Sequence, residues 1–447
     1  MTASKDALLA SDHAHLIHPL HTKAGHQDAH IWVRAHGSTL VDADGREYLD
    51  GLSGLWNVVA GHGRQELADA ASQQMMTLPY CSGYTGSSNP HAIHLAERIA
   101  GITYPSINRF FFTSGGGESS DTNFKTARFY FRQIGKPEKT KVISRQWAYH
   151  GVTLAAMSAT GISGYWPMFE PRVPGFSHIA SPYPYRYEAP EGVSPGLAAA
   201  NELEQKLLEE GPDTVAMFIA EPVQGAGGIL IPPDDYFPRI REICDQYDVL
   251  LVADEVITGF GRTGKMFGLE HWGVEPDMIQ YAKAITSGYF PLGGTGVSDK
   301  IAAVIDDAAD VWMHAYTYSA HPVGCAVALA NLDIIEGEDF PAQAAEKGRY
   351  LLDGLQAQIG DHPHVGKVRG LGLMLGIEIV QDRDTKEDFP ADDKIGARIH
   401  QAMQDHGLFT RMRGDVICLA PPVVITTAEL DRIIESVTAA IGDVLGG

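Results

Sequence analysis

The sequence predicts an α/β fold with a mostly parallel sheet, and three observations support this prediction. Short apolar runs alternate with helical patterns through the middle of the chain. The length of 447 residues exceeds what one hydrophobic core usually serves, so we expect at least two domains. Hydrophobic residues make up 44% of the chain and charged residues 20%, as is usual for a soluble globular protein.

The predicted elements follow one another in chain order. Strands are predicted at 109–113, 141–144, 215–220 and 249–253, with a further apolar run at 278–282. Helices are predicted from about 118 to 132, at 236–247 and at 428–445. A hairpin is predicted at 38–51, and a long loop rich in Pro and Tyr at 181–195.

The predicted domains are a large central one and a small α+β one built from both ends of the chain. We expect an N-terminal arm and part of the small domain at 1–60, the large domain at 61–325 and the rest of the small domain at 326–447.

Composition and charge disfavour several classes of function. The net charge is −22, and the acidic residues are spread along the chain, which argues against nucleic acid and anionic membranes as partners. The chain has no run approaching the roughly 20 apolar residues of a membrane span, and its start does not resemble a signal peptide. Four cysteines without a CxxC pair favour a reducing compartment, and so a cytoplasmic location, over a disulfide or zinc framework.

Polar residues cluster just after the predicted strands. Three glycines follow 109–113, Tyr149 and His150 come shortly after 141–144, Glu221 follows 215–220 and Asp254 follows 249–253. In open α/β sheets, ligands bind outside the carboxyl ends of the strands. Four separate segments therefore predict one polar crevice.

The glycine turn at 115–117 is a candidate anion site. Glycines between a strand and a helix let the backbone approach a ligand closely, and a helix N-terminus offers free N–H groups to a phosphate. An ordinary tight turn is the alternative for this segment taken alone.

Lys283 lies directly after the apolar run at 278–282, where a buried charge is costly unless it is paired or neutralised. Burial lowers the pKa of a lysine and makes it a nucleophilic amine suited to Schiff-base chemistry. Two alternatives stay open at this point: Lys283 could extend its amine to solvent from a strand end, and Asp254 could cap a helix or bind a metal.

A second glycine-rich segment, 259–265, matches GxGxxG and nearly matches a P-loop. We reject both interpretations. Met266 stands where a P-loop needs Ser or Thr for magnesium, and residues 254–258 separate the glycines from the preceding strand.

Six histidines near the N-terminus could suggest a metal site: His13, His15, His18, His21, His26 and His30. Because no cysteine or HExxH motif accompanies them, a solvated or partly docked arm is favoured and no metal is predicted.

These residues resemble the class III, or omega, aminotransferases of pyridoxal-phosphate fold type I over nearly the whole chain. The resemblance is most specific in LLVADEVITGFGRTGKMF at 250–267 and PDMIQYAKAITSGYFPLGG at 276–294. Further similar segments, in the same order, are FFTSGGGESSDTNFKTAR, YHG, EPVQGAGG and TYSAHPVGCA. DGLSGLWNVVAGHGR at 50–64 is most similar to the amine or omega-amino acid:pyruvate branch.

The resemblance implies pyridoxal 5′-phosphate as cofactor and a role for each matching residue. Lys283 would form the Schiff base with the cofactor and shuttle a proton, while Asp254 would keep the pyridine nitrogen protonated. Further implied cofactor contacts are Gly116 and Gly117 on the phosphate, Tyr149 and Val256 on the two ring faces, Glu221 behind them, and Thr317 from a partner subunit. Implied substrate contacts are Leu20, Trp56, Tyr84, Ala226 and, for a carboxylate, Arg411. The active unit would be a homodimer, or a tetramer containing it.

One departure from the family concerns the phosphate. The family usually has Asn-Ser-Gly-Ser where this chain has Ser114 followed by three glycines. Two hydroxyl positions are therefore lost, and the phosphate would depend on backbone donors and Thr317. The strength of cofactor retention becomes a property to test.

The activity implied is transfer of an amino group from a primary amine or omega-amino acid to pyruvate or a similar 2-oxo acid, through pyridoxamine phosphate. The alternatives are an aminomutase, racemase or decarboxylase on the same scaffold, a 2-oxoglutarate-dependent aminotransferase, and a non-catalytic cofactor-binding protein. The natural amine donor stays open.

Overall fold

A seven-stranded sheet forms the centre of the computed structural model, which describes residues 4–446. In chain order the strands are β1 (Trp32–His36), β2 (Thr39–Asp42), β3 (Glu47–Asp50), β4 (Ile107–Thr113), β5 (Lys141–Arg145), β6 (Phe176–Ile179), β7 (Val215–Ala220), β8 (Leu250–Asp254), β9 (Met278–Tyr281), β10 (Gly293–Ser298), β11 (Val365–Gly370), β12 (Leu375–Ile379), β13 (Leu408–Phe409), β14 (Arg411–Arg413) and β15 (Val416–Leu419).

The helices, in chain order, are α1 (Lys5–His15), α2 (Ser53–Trp56), α3 (Gln65–Thr77), α4 (Pro90–Ile102), α5 (Gly116–Gln133), α6 (Leu154–Ala159), α7 (Pro195–Glu210), α8 (Tyr236–Gln246), α9 (Asp299–Asp307), α10 (Pro322–Gly337), α11 (Phe340–Ile359), α12 (Ile395–Asp405) and α13 (Thr427–Leu445). Short 3-10 helices include Ala24–His26, Gly268–Trp272 and Lys283–Thr286.

The central sheet has the order β4-β10-β9-β8-β7-β5-β6. The run from β9 to β6 is parallel, and β10 is antiparallel to both of its neighbours. Every residue of β7 and β8 is buried, which explains their unbroken apolar sequences. The prediction of an α/β fold with a mostly parallel sheet is confirmed.

The predicted strands, the two helices matching α8 and α13, the hairpin of β2 and β3 and the loop between β6 and α7 are confirmed to within about two residues. Helix α5 differs at its start, because Gly116 and Gly117 form its first turn and Gly115 is the N-cap residue. The predicted glycine turn is therefore largely the N-terminus of the helix itself. The N-terminal arm contains α1, whose helix pattern was not predicted.

Two further sheets use the ends of the chain. The β1-β2-β3-β13 sheet pairs β3 with β13 in parallel, which brings the N-terminal and C-terminal regions together. The second sheet has the order β11-β12-β15-β14 and packs with α11 and α12. This arrangement is consistent with a small domain built from both ends, whose boundaries stay a prediction. Within residues 4–446, no helix is long and apolar enough to cross a membrane.

Candidate active site

A cavity of about 410 Å³ opens at the carboxyl ends of the parallel strands. Seven of the predicted site residues line it: Gly116, Gly117, Tyr149, Glu221, Asp254, Val256 and Lys283. They come from five different segments, as the positions after successive strands predicted.

Lys283 begins a 3-10 helix directly after β9 and has a positive φ of 49°. This backbone region is unfavourable for a residue with a side chain, and such strain is often found at functional sites. The pKa of the Lys283 amine is lowered from 10.5 to about 8, chiefly by burial and to a smaller extent by nearby Arg411, against the opposing effects of Asp254 and Glu221. A substantial fraction of the amine is therefore neutral and nucleophilic at mildly alkaline pH.

Asp254, at the end of β8, is held by three donors. Its Oδ2 accepts from His150 Nδ1 at 2.6 Å and from Gln280 Nε2 at 2.7 Å, and its Oδ1 accepts from the Val256 amide at 3.1 Å. The side chain is 3% exposed, so these bonds fix it with little competition from water. A fixed carboxylate of this kind can hold a protonated ring nitrogen of a ligand.

The Gln280 side chain is itself held by two further hydrogen bonds. Its Nε2 also donates to Ser120 Oγ at 2.9 Å, and its Oε1 accepts from Asn123 Nδ2 at 3.1 Å. Both partners lie on α5, so the helix that begins at the glycines also orients the carboxylate. The cavity floor and the anion site are parts of one hydrogen-bonded unit.

The N-terminus of α5 faces the cavity. No side chain caps this helix end, so its first N–H groups remain available to an anion. A Cβ at Gly116 would lie 3.1 Å from Val256 Cγ2, whereas one at Gly117 would meet only Thr153 Cγ2, at 3.7 Å. Gly116 packs tightly against Val256, and Gly117 leaves room beside the anion site.

Glu221 orders the segment that carries Tyr149. Its Oε1 accepts from the Tyr149 amide and its Oε2 from the Gly225 amide, both at 3.0 Å. Burial raises the pKa of the Glu221 carboxyl, with Asp254 adding to the rise against the nearby His150 and Arg145. Glu221 therefore positions the Tyr149 backbone beside the cavity.

The remaining predicted residues do not line the cavity of a single chain. Trp56 and Ala226 are buried beside it, Leu20 and Tyr84 are 73% and 59% exposed, and the Thr317 carbonyl accepts from Tyr80 at 2.9 Å. Their assignment to the substrate or phosphate stays a prediction.

Arg411 and Arg413 lie on β14, two residues apart and so on the same face of the strand. Arg413 stacks over Trp147, with its guanidinium 5.2 Å from the ring centroid. Arg411 is close enough to Lys283 to lower the pKa of its amine. Of the two arginines, Arg411 is the one whose charge acts on Lys283 and Tyr149.

Sequence reasoning gave no role to His150 and did not find Gln280, although both bind Asp254. A signal for Gln280 was present, since it is the one polar residue inside the buried sequence MIQY of β9. A lone amide in an otherwise apolar strand needs a hydrogen-bonding partner.

The rejected glycine-rich segment at 259–265 serves packing in the structure. Cβ atoms at Gly261 and Gly264 would contact Phe340 and Ala345 of α11 within 3.2 Å. Lys265 is exposed, away from the cavity lining. Neither phosphate-binding interpretation of this segment is supported.

The three polar features of the cavity match three groups on one ligand. A nucleophilic amine suits an aldehyde, the fixed carboxylate suits a protonated ring nitrogen, and the open helix N-terminus suits a phosphate. Val256 beside Gly116 and the ring of Tyr149 add apolar surface for an aromatic ring between them.

Comparisons with known proteins cover nearly the whole chain. Residues 22–441 match the family Aminotransferase class-III. The chain is 41% identical over 412 residues to the putrescine–pyruvate aminotransferase of Pseudomonas aeruginosa. This alignment covers 91% of this chain and 89% of that protein. It is 39% identical over 440 residues to the diaminobutyrate–2-oxoglutarate transaminase of Halomonas elongata, covering 94% of both. The crystal structure of a thermostable (S)-enantioselective omega-transaminase from Thermomicrobium roseum superposes with a TM-score of 0.96 at 47% identity, covering 100% of both chains.

Proposed function

The chain belongs to the class-III aminotransferase family, and from this premise we propose that it transfers the amino group of a primary amine or omega-amino acid to pyruvate or a similar 2-oxo acid. The similarity to a putrescine–pyruvate aminotransferase and to an omega-transaminase supports this donor and acceptor class. The similarity to a diaminobutyrate–2-oxoglutarate transaminase supports 2-oxoglutarate as the second candidate acceptor.

The cofactor of this fold type I enzyme is pyridoxal 5′-phosphate, and the residues of the cavity fit it. Lys283 would hold the cofactor's aldehyde carbon, Asp254 its ring nitrogen, and Gly116 and Gly117 its phosphate. When bound, the cofactor supplies an electron-withdrawing ring that stabilises negative charge on the substrate carbon.

Lys283 has two tasks in the proposed mechanism. Its neutral amine would hold the cofactor, and when free of the cofactor the amine would accept and return a proton at the substrate carbon. A lysine whose pKa is about 8 is suited to both directions of proton transfer near neutral to mildly alkaline pH.

Asp254 would keep a proton on the ring nitrogen of the cofactor. His150 and Gln280 donate to its carboxylate and stop it from rotating away. Tyr149 and Val256 would confine the ring between them, and Glu221 positions Tyr149 through its backbone amide. These roles depend on geometry that the protein holds before any substrate enters.

The active unit that we propose is a homodimer. Thr317 of one subunit would complete the phosphate site of the other, since within its own chain it does not line the cavity. Large apolar side chains near it are exposed in the single chain, including Val311 at 73% and Met313 at 81%. Such exposure is expected of a surface that a second subunit covers. All four cysteines are free, which supports the proposed cytoplasmic location.

The observation that carries the proposed function is the shared cavity of Lys283, Asp254 and the α5 N-terminus. A panel tests it: putrescine, β-alanine, γ-aminobutyrate, taurine and 1-phenylethylamine are each paired with pyruvate or 2-oxoglutarate. With pyruvate we expect alanine, and with 2-oxoglutarate glutamate, in a one-to-one ratio with the aldehyde or ketone. Amine conversion without consumption of any acceptor would instead identify a mutase, racemase or decarboxylase.

A further inference from the structure

Three side chains of the N-terminal arm converge outside the catalytic cavity. Asp12 lies in the last turn of α1, His18 follows the helix, and His26 ends the 3-10 helix Ala24–His26. Asp12 Oδ2 is 2.7 Å from His18 Nε2 and 3.6 Å from His26 Nε2. The two imidazole rings stack with their centroids 3.5 Å apart, so both nitrogens face the same carboxylate oxygen.

Two polar atoms of this cluster have no hydrogen-bond partner within the described chain. Asp12 Oδ2 and His18 Nε2 are shielded from solvent, and neither has an aligned hydrogen-bond partner among residues 4–446 despite their short separation. Leaving buried polar atoms unpaired costs free energy. A cation between them would satisfy the carboxylate and both imidazoles at once.

The arm also has no apolar core of its own. In the described structure neither α1 nor the 3-10 helix at 24–26 contains a buried residue. Small segments without a core are commonly stabilised by a structural metal. The contacts that do hold α1 are polar, such as Lys5 to Asp44 at 2.5 Å and His13 to the His26 carbonyl at 3.1 Å.

We propose that Asp12, His18 and His26 form a binding site for a divalent transition-metal ion, with Zn²⁺ as the best match. Two imidazoles and one carboxylate, with a fourth position open to water, are a zinc ligand set. Metal–ligand bonds of about 2.0–2.2 Å place tetrahedral ligand atoms roughly 3.3–3.6 Å apart. The 3.6 Å pair already fits, and the 2.7 Å pair has to open by less than about 1 Å.

The bound ion would tie the end of α1 to the turn at 24–26 and close the segment between them. Lys23, in that segment, is exposed and is therefore a site for trypsin. We therefore expect a bound metal ion to protect the peptide bond after Lys23 from trypsin. The inference concerns residues outside the catalytic cavity and does not depend on the proposed substrate class.

The test is equilibrium dialysis of tag-free holoenzyme against Zn²⁺, with Asp12→Asn and His18→Gln as the test variants and His15→Gln as the control. His15 belongs to the same helix and is exposed, but it is outside the cluster. We expect one Zn²⁺ per subunit in the wild type and in His15→Gln. Because loss of a group that only supports a ligand weakens binding about 10- to 100-fold, loss of a ligand should weaken it by about 100-fold or more.

Trypsin digestion gives a second readout on the same proteins. Zn²⁺ should slow cleavage after Lys23 in the wild type and in His15→Gln, and should have no effect in Asp12→Asn. Equal Zn²⁺ binding by all four proteins would overturn the proposal, because the ion would then lie elsewhere. No binding by the wild type would also overturn it and would leave Asp12 and His18 as a close contact within the arm.

Discussion

His150 Nδ1 lies 2.6 Å from Asp254 Oδ2, and both side chains are buried. The two residues are 104 positions apart and reach each other because β5 and β8 end on the same edge of the sheet. His150 and Gln280 are therefore the two side chains that orient the carboxylate proposed to hold the cofactor ring. Four predictions follow from this contact and its neighbours.

Replacing His150 by Phe should keep the ring shape and remove the donor to Asp254. A hydrogen bond to a charged group contributes about 1.5–3 kcal/mol, so we expect the rate of the amine half-reaction to fall about 10- to 150-fold. Single-turnover kinetics measure this, and the pH dependence of the bound cofactor's absorbance should shift with it. His178→Phe, a change of the same kind outside the cavity lining, is the control. Unchanged kinetics and absorbance in His150→Phe would show that Gln280 alone orients Asp254.

The lowered pKa of Lys283 predicts a pH dependence for cofactor uptake by the cofactor-free protein. The neutral amine is the reactive form, and its fraction grows as pH rises through about 8. The rate of uptake should therefore increase about tenfold per pH unit below pH 8 and level off above it. Stopped-flow absorbance from about pH 6.5 to about 9.5 tests this. A rate still climbing at the top of that range would indicate an unshifted lysine.

Gly117→Ser should slow cofactor loss. A Cβ at this position meets only Thr153 Cγ2 at 3.7 Å, and the added hydroxyl supplies a donor that the family has and this chain lacks. A gain of about 1.5–3 kcal/mol corresponds to about 10- to 150-fold slower loss. Dialysis against a cofactor scavenger measures the rate. Gly116→Ser is the matched control, because its Cβ would lie 3.1 Å from Val256 and loss should be faster. Faster loss in both variants would mean that steric fit governs the site.

Arg411→Ala should separate the two half-reactions. Pyruvate carries a carboxylate, whereas 1-phenylethylamine carries none, so only the first should need the arginine. A bidentate contact contributes roughly 2–4 kcal/mol, which predicts about a 30- to 1000-fold loss for pyruvate and less than about tenfold for the amine. Single-turnover rates of each half-reaction measure both. Arg413→Ala, which removes the contact with Trp147, is the control. Equal losses in both half-reactions of Arg411→Ala would assign it a structural role.

The strand positions and the site edge were predictable because each strand is a short, buried, apolar run ending in a polar residue. Lys283 and Asp254 stood out for that reason. The hydrogen bonds of Asp254 could not be predicted, because its partners His150 and Gln280 come from segments far apart in the chain. The contacts of Asp12 with His18 and His26 were not predictable, because a run of histidines does not show which carboxylate they face. The roles of Leu20, Tyr84 and Thr317 stay predictions, because they do not line the cavity of the single chain.

The identity of the lysine that holds the cofactor tests the account most directly. Borohydride reduction of the holoenzyme, followed by digestion and mass spectrometry, reports the modified residue. We predict that the cofactor is attached to Lys283, and that Lys283→Ala still binds cofactor through its phosphate and ring but no longer transaminates. Attachment to Lys265, the exposed residue of the glycine-rich segment, would contradict the assignment of the active site.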